Sequence, residues 1–300
     1  MTRLSLQELE GRCQKPGYRA IGNWMARRVT RPMALRVTWV IHPWGLSAHA
    51  ATLTAWSAGI AAALAFGWGN AAGWMLGAGL LQLWYLLDHV DGHLARFHRS
   101  ASLDGTQLDY LMHHTINLLA PLGVGCGIAS TCLEPLWSLA GLCWGLGLML
   151  IGLQHDARYK AFIQRLKRLH GELHVIGGGG ARPGPAPGPP RGAAPCFGWL
   201  ARKLCEIHVT MNLLTLLALV WLASPSNGLL ATKCVLVFMA SLAILVALAT
   251  LARSQQRQSC EQEFCEWFRV PPGHTLELVD GWWHVRDVGD QHSPRENIVP

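Results

Sequence analysis

Three aspartates and a histidine lie close together in residues 88–113, which read DHVDGHLARFHRSASLDGTQLDYLMH. Asp88 and Asp91 are three residues apart, and Asp109 and His113 are four apart, so each pair shares one face of a helix. Ionisable side chains at the end of an apolar segment are costly and by default indicate a functional site. Carboxylates grouped in this way are ligands that Mg²⁺ or Mn²⁺ prefers. The segment therefore predicts a divalent-metal site.

Two helix ends joined by a tight turn would direct these four side chains toward one point. Divalent ions held by carboxylates can clamp a pyrophosphate and stabilise the leaving group. A nearby base can remove the proton from an attacking hydroxyl, and Arg96 follows at a position from which it can bind phosphate through two hydrogen bonds. The chemistry that this arrangement indicates is phosphoryl-type transfer.

The composition indicates that these residues are carried by membrane helices. Of 300 residues, 51% are hydrophobic and 14% are charged, and the apolar residues form runs near the ~20 residues that a bilayer core requires. We predict an all-α integral membrane protein with about six transmembrane helices. The predicted spans are residues 48–67, 72–94, 106–128, 133–154, 207–224 and 230–252.

The distribution of basic residues predicts the orientation of these spans. The connections at 68–71, 129–132 and 225–229 carry no charge, whereas the other connections are rich in Lys and Arg. By the positive-inside rule, both termini and the aspartate cluster face the cytoplasm, and we expect a bacterial cytoplasmic membrane. The net charge of +7 suits anionic lipid headgroups. We do not expect nucleic acid as a partner, because the basic residues flank apolar spans.

Three domains are predicted along the chain. Residues 1–45 form an N-terminal cytoplasmic segment with an interfacial amphipathic helix, for which Pro32 is the candidate break point; the alternative is a basic flank without fixed structure. Residues 46–253 form the six-span domain, including a flexible Gly/Pro linker at 177–195. Residues 254–300 form a polar cytoplasmic tail, in which Asp280-Gly281 between β-prone runs predicts a hairpin.

The spacing D-x2-D-G-x2-A-R-x8-G-x3-D-x3-H resembles the signature of the CDP-alcohol phosphotransferase (CDP-alcohol phosphatidyltransferase) family. The positions that match are Asp88, Asp91, Gly92, Ala95, Arg96, Gly105 and Asp109. The family has a fourth aspartate where this chain has His113. The motif covers residues 88–113 only, and the resemblance in topology covers roughly residues 16–252.

This resemblance implies the cofactors and the site residues. It implies that two Mg²⁺ or Mn²⁺ ions are bound by the acidic positions, and that the residue at the fourth position also serves as general base. The implied metal ligands are Asp88, Asp91, Asp109 and His113, with His113 as the catalytic base. The implied contacts to the cytidine nucleotide come from Asp88, Gly92, Ala95, Arg96 and Gly105.

The resemblance also implies a homodimeric membrane transferase that acts on a CDP-linked donor and an alcohol acceptor and releases CMP. We expect phosphatidyl transfer from a CDP-diacylglycerol-like donor to a polar alcohol in phospholipid biosynthesis. The opposite direction of transfer (the opposite polarity) is also open, in which a CDP-linked small alcohol donates its phospho-headgroup to a lipid hydroxyl. Two other classes also stay open. One is a non-catalytic lipid- or nucleotide-binding relative, since His113 replaces an acid, and the other is a transporter that uses the same buried acids.

The segment HDARYK, residues 155–160, offers candidate acceptor-binding residues. Arg158 and Lys160 would form a basic wall for an anionic group. The alternative is a positive-inside flank in which Asp156 pairs with Lys160 along the helix.

Overall fold

The computed structural model describes residues 4–15, 17–19, 22–175 and 188–288. The helices are α1 (Leu6–Cys13), α2 (Arg31–Ile41), α3 (Ala48–Phe66), α4 (Ala71–Phe97), α5 (Leu103–Cys132), α6 (Leu136–Leu166), α7 (Ala193–Leu204), α8 (Ile207–Ala223), α9 (Pro225–Gln256) and α10 (Ser259–Trp267). The strands are β1 (Leu169–His170), β2 (His174–Val175), β3 (Phe268–Arg269), β4 (His274–Val279) and β5 (Trp282–Asp287). A π-helical turn at Ala26–Thr30 precedes α2, and a 3₁₀ turn at His42–Trp44 follows it.

The chain divides into two compact units. One comprises Met1–Gly152 and Pro183–Ala249, and the other comprises Leu153–Arg182 and Thr250–Pro300. The division differs from the predicted domains because α6 and α9 have 31 and 32 residues, more than the ~20 that a bilayer core requires. Their last turns therefore belong to the second unit. Most of the predicted linker, residues 176–187, lies outside the described residues.

Helices occupy all six predicted spans, but not all of them are equally apolar. Four are long and apolar enough to cross a membrane, namely α3, α5, α6 and α9. The pair α7 and α8, bent by 68°, would be a fifth if it counts as one span. The helix α4 is not among them and carries Asp88 and Asp91 in its second half. The described residues thus contain four to five membrane-capable helices, and a total of six stays a prediction.

Side-chain caps mark the first residues of α3, α4 and α5. Ser47, Asn70 and Ser102 accept a hydrogen bond from the backbone N–H three residues later, at 3.1, 2.8 and 3.0 Å. Only residues 98–102 separate α4 from α5. The short connection and the Ser102 cap therefore fix the register in which the end of α4 faces the start of α5.

Small residues let α3 and α5 approach closely. A Cβ atom at Gly123 would collide with the backbone carbonyl of Ala63, and one at Gly127 would collide with that of Phe66. Such close backbone contact is how helices associate where lipid removes the hydrophobic driving force. The helix that carries Asp109 and His113 is therefore held tightly against α3.

The N-terminal segment remains helical through Pro32, so the predicted break at this residue is wrong. The backbone N–H of Arg31 donates a hydrogen bond to the carbonyl of Ala26, which closes a π-turn directly before α2. Pro32 then lies in the first turn of α2, where a missing N–H costs little. The interfacial position of this segment stays a prediction.

The second unit contains two small sheets. Strands β4 and β5 pair antiparallel with Val279 opposite Trp282, so Asp280 and Gly281 form the two-residue turn. Both turn residues have positive φ, +52° and +82°, as the Asp-Gly turn of a hairpin requires. Strand β1 adds parallel to β5, and β2 pairs with β3.

Candidate active site

Three side chains from the α4–α5 hairpin meet around one point. The Nε2 atom of His113 lies 2.9 Å from Oδ1 of Asp88 and 3.5 Å from Oδ1 of Asp109. One ligand atom from each residue lies within 4.8 Å of the other two. The ring of Trp84 packs edge-on against His113, with 5.5 Å between ring centroids. The structure therefore brings Asp88, Asp109 and His113 together, as the helical spacing predicts.

Asp91 lies apart from this group. Its side chain is buried, and its Oδ2 accepts a hydrogen bond of 2.7 Å from the hydroxyl of Thr52 on α3. Within the described residues, the cluster that could hold a metal ion contains three of the four predicted ligands. Asp91 is nevertheless part of the same region, since it lines both cavities described below.

His89 provides a second histidine contact to Asp88. Its Nδ1 atom lies 3.0 Å from the backbone carbonyl of Tyr85 and 3.4 Å from Oδ2 of Asp88. Because a carbonyl oxygen only accepts, the shorter contact requires a proton on Nδ1. His89 thus shares its N–H between the helix backbone and the carboxylate, and it helps to hold the orientation of Asp88.

A cavity of about 230 Å³ opens beside the three-residue cluster. The N-terminal segment closes one side of it with Gln14, Lys15, Tyr18 and Arg31. Burial lowers the pKa of the Lys15 ammonium, and the charges of Arg96 and Arg31 lower it further. Cationic groups thus surround a pocket whose floor is acidic, which suits a ligand that carries both phosphates and a bound cation.

Arg96 connects α4 to the N-terminal segment. Its Nε donates to the backbone carbonyl of Cys13, and a Cβ at Gly92 would lie 3.3 Å from Nη1 of Arg96. The guanidinium therefore folds back along the helix over Gly92, where a larger residue would push against it.

A second cavity of about 150 Å³ adjoins the first. Asp91, Gly92 and Asp109 line both, whereas Ala95 and Gly105 line only the second. The predicted nucleotide-binding residues are therefore distributed over the two cavities, because Asp88 and Arg96 line only the first. The second cavity lies at the first turn of α5, where small side chains leave the backbone accessible.

The donor set of the cluster fits a divalent cation. Two carboxylates and an imidazole are ligands that Mn²⁺ and related ions accept, whereas Mg²⁺ favours oxygen alone. Three protein ligands within 4.8 Å of one another account for one ion. The predicted second ion would need Asp91, which lies outside that group and is hydrogen-bonded to Thr52.

The predicted acceptor-binding residues lie on α6 in the second unit. Arg158 donates to Glu263 at 2.9 Å, so its charge already has a partner within that unit. A role of Arg158 and Lys160 in binding an acceptor stays a prediction.

Several residues at the site were not predicted from the sequence. Thr52 donates a hydrogen bond to Asp91, which lies 39 residues later in the chain. Lys15 and Tyr18 line the cavity from the N-terminal segment. In the sequence, a single threonine in an apolar helix is typical of ordinary helix packing. A basic N-terminus is likewise typical of a segment that flanks a membrane span. Local pattern carries no signal for either contact, because both depend on how distant helices pack.

Comparison with known proteins gives limited similarity. No protein-family model matches the chain, and no curated protein matches it. Among solved structures, the chain is similar to Mycobacterium tuberculosis phosphatidylinositol phosphate synthase (PgsA1), determined with CDP-DAG bound. The TM-score is 0.49 and the sequence identity 18%, over 75% of this chain and 92% of the other.

Proposed function

We propose that this protein is a metal-dependent membrane CDP-alcohol phosphotransferase that joins an alcohol to a phosphoryl group and releases CMP. The observation that carries the proposal is the convergence of Asp88, Asp109 and His113 at one cavity. Gly92 and Gly105, which belong to the same signature spacing, line the adjoining cavity. Both the motif and the geometry thus indicate one site for a CDP-linked donor.

Asp88 and Asp109 are proposed to hold the cation, Mg²⁺ or Mn²⁺. Such a cation, when bound, neutralises a pyrophosphate and stabilises the leaving CMP. The carboxylates supply the negative charge that retains it, and His89 fixes the orientation of Asp88. A second ion, with Asp91 as an additional ligand, is part of the proposal taken from the family resemblance.

His113 is proposed as the general base. Its side chain is 30% exposed and lines the cavity in which an acceptor hydroxyl would approach. The base takes the hydroxyl proton while the alcohol oxygen forms its bond to phosphorus and the bond from phosphorus to the CMP oxygen breaks. The nitrogen that faces both carboxylates cannot hold a cation and accept a proton at the same time. The two roles predicted for His113 can therefore be separated by experiment.

The nucleotide is proposed to occupy the cavity lined by Gly92, Ala95 and Gly105, with Arg96 toward its phosphates. The small residues at these three positions leave room for a planar base against the helix backbone. The acceptor would approach from the first cavity, where Lys15 and Arg31 add positive charge.

Phosphatidyl transfer from CDP-diacylglycerol to a polar alcohol, in phospholipid biosynthesis, is the polarity that we propose. The cationic side chains of Lys15, Arg31 and Arg96 at the first cavity support a water-soluble, anionic acceptor. The opposite polarity uses the same residues. A homodimer in a bacterial cytoplasmic membrane, with both termini and the site on the cytoplasmic side, completes the proposal.

The second candidate function is a non-catalytic binding protein. The observation that favours it is the 2.9 Å contact between His113 and Asp88, through which an imidazolium could replace the cation. Such a protein would bind cytidine nucleotides without turning them over.

The test is CMP release from purified protein in lipid nanodiscs. The donors are CDP-diacylglycerol and a CDP-linked small alcohol, each with Mg²⁺ or Mn²⁺ and a panel of water-soluble and lipid alcohols. We expect CMP with CDP-diacylglycerol, a divalent ion and a polar alcohol. CMP only with the small-alcohol donor would reverse the polarity. Tight binding of cytidine nucleotide without CMP from any combination would favour the non-catalytic protein.

A further inference from the structure

A separate basic cavity lies in the N-terminal segment. It has a volume of about 520 Å³ and is bordered by α1 and by the helical segment that includes α2. Its charged and hydroxylated lining consists of Glu10, Tyr18, Arg19, Arg27, Arg28 and Arg36. None of the residues assigned to the metal, the nucleotide or the acceptor lines it.

The positive charge of this cavity is not balanced by acidic side chains. Glu10 is the one carboxylate in the lining. It accepts from the hydroxyl of Tyr18 and lies 3.4 Å from Nη2 of Arg19. No carboxylate among the described residues forms an ion pair with Arg27, Arg28 or Arg36. Three exposed guanidinium groups therefore remain for an anion from outside the chain.

Exposed apolar side chains adjoin Arg36. Met33, Arg36 and Val40 are spaced i, i+3 and i+7 on α2 and therefore share one face. Met33 and Val40 are each 46% exposed, and Trp44 directly after α2 is 75% exposed. A helix face that combines exposed apolar residues with arginine is typical of a segment lying at a lipid headgroup layer. The adjoining surface thus indicates that the anion is part of a lipid.

We propose that this cavity binds the phosphate-bearing headgroup of an anionic phospholipid, at a site distinct from the α4–α5 site. Arginine is suited to this ligand because its planar guanidinium forms paired hydrogen bonds with phosphate oxygens. The lipid acyl chains would lie along Met33 and Val40. Gln14 and Tyr18 line both this cavity and the first active-site cavity. A bound headgroup would therefore lie next to the wall that Lys15 and Tyr18 form.

Removal of two of these arginines tests the site. The variant is Arg28→Gln with Arg36→Gln, which keeps polar side chains of similar length and removes two positive charges. The matched control is Arg253→Gln with Arg257→Gln, which removes two charges from exposed arginines outside the cavity. Calorimetric titration of each protein in detergent would use short-chain phosphatidylglycerol, short-chain phosphatidylcholine and inorganic phosphate.

We expect the unmodified protein and the control to bind phosphatidylglycerol at least tenfold more tightly than phosphatidylcholine. The Arg28/Arg36 variant is expected to lose that preference. Equal loss in the control variant would overturn the proposal, because it would show a general effect of net charge. Inorganic phosphate binding as tightly as phosphatidylglycerol would overturn the assignment to a lipid and indicate a free phosphate ligand instead.

The measurement is independent of the catalytic proposal. It contains no CDP-linked donor and no metal, so failure of CMP release leaves its outcome unchanged. Conversely, the double variant retains Asp88, Asp109 and His113, so loss of lipid preference would not contradict the transferase function.

Discussion

Charges are arranged in two contrasting ways in this protein. In the second unit, Arg165 forms two hydrogen bonds to Glu261, at 2.5 and 2.6 Å, and Arg158 pairs with Glu263. In the α4–α5 site, two carboxylates share a single imidazole. The first arrangement satisfies opposite charges within the chain. In the second, neither Asp88 nor Asp109 forms an ion pair with a lysine or arginine among the described residues, and both line a cavity.

The physical cost of the two arrangements differs. A matched, partly exposed ion pair costs little and adds little to stability. Like charges gathered at a partly buried site are unfavourable unless a cation joins them. Clusters of this kind concentrate at binding and catalytic sites. The contrast therefore separates residues that hold the fold from residues that we propose to perform chemistry, and each prediction below tests that separation.

The largest effect is expected from removing a carboxylate of the cluster. Asp88→Asn and Asp109→Asn should each lower CMP release about 10³-fold, because charge stabilisation by a bound cation contributes several kcal/mol to the barrier. Asp104→Asn, an exposed acid in the first turn of α5, is the matched control and should keep its activity. Equal activity in Asp88→Asn would place the chemistry elsewhere.

Replacement of His113 distinguishes its two proposed roles. His113→Ala should lower CMP release about 10²-fold through loss of a general base, and His113→Asp should recover part of the activity by restoring a carboxylate. Titration of Mn²⁺ by electron paramagnetic resonance separates ligand from base. An unchanged Mn²⁺ affinity with lost turnover indicates a base, and a weakened affinity indicates a ligand. Normal turnover of His113→Ala would remove this residue from the mechanism.

Metal binding should stabilise the first unit. A cation at 100 times its dissociation constant adds about 2.7 kcal/mol to the native state. We therefore expect Mn²⁺ to raise the thermal midpoint of the unmodified protein and of Asp104→Asn, but not of an Asp88→Asn/Asp109→Asn double variant. An equal rise in the double variant would show that the ion binds at another place.

The sequence predicted the features of the two units that depend on the spacing of residues close together in the chain. The i, i+4 relation of Asp109 and His113 and the short connection from α4 suffice to bring Asp88 close to both. In the tail, Asp280-Gly281 indicates the turn by its backbone preference. Long apolar runs indicate the helix positions, although composition alone does not decide whether α4 crosses the membrane.

The parts that depend on distant packing could not be predicted. Arg96 reaches the carbonyl of Cys13 across 83 residues, and Arg158 reaches Glu263 across 105. The signature spacing marks Arg96 as a candidate ligand contact, whereas for Arg158 the sequence leaves an acceptor contact and a basic membrane flank equally open. The break predicted at Pro32 is wrong for a local reason, since Pro32 lies in the first turn of α2, directly after the π-turn, where its missing N–H costs little.

Loss of Arg165 should affect the stability of the second unit and leave catalysis unchanged. Its guanidinium lies 4.3 Å from the ring centroid of Trp283 and 4.7 Å from that of Phe264. Arg165→Gln should cost roughly 1–2 kcal/mol from lost cation–π and ion-pair contacts, seen as faster hydrogen exchange in β5. Arg165→Lys should be intermediate, because it keeps the charge but lacks the planar fork. A fall in CMP release without a change in the hydrogen exchange of β5 would contradict the proposal that Arg165 stabilises the fold and takes no part in the chemistry.

The smallest effect is expected from lowering the pH, which protonates Glu261 and weakens its pair with Arg165. Hydrogen bonds from Arg165 lower the pKa of Glu261 below its ordinary value of 4.5. A lowered native pKa means that the pair contributes fully above the unfolded value and that this contribution is lost as the pH falls through the native pKa. After correction for the intrinsic exchange rate at each pH, the protection of β5 amides should therefore fall between pH 5 and 3 by more in the unmodified protein than in Glu261→Gln, which lacks the titrating group. Because Glu261 is 53% exposed, the difference should be small and should shrink in high salt. An identical pH dependence in the two proteins would show that Arg165 is held by its aromatic contacts alone.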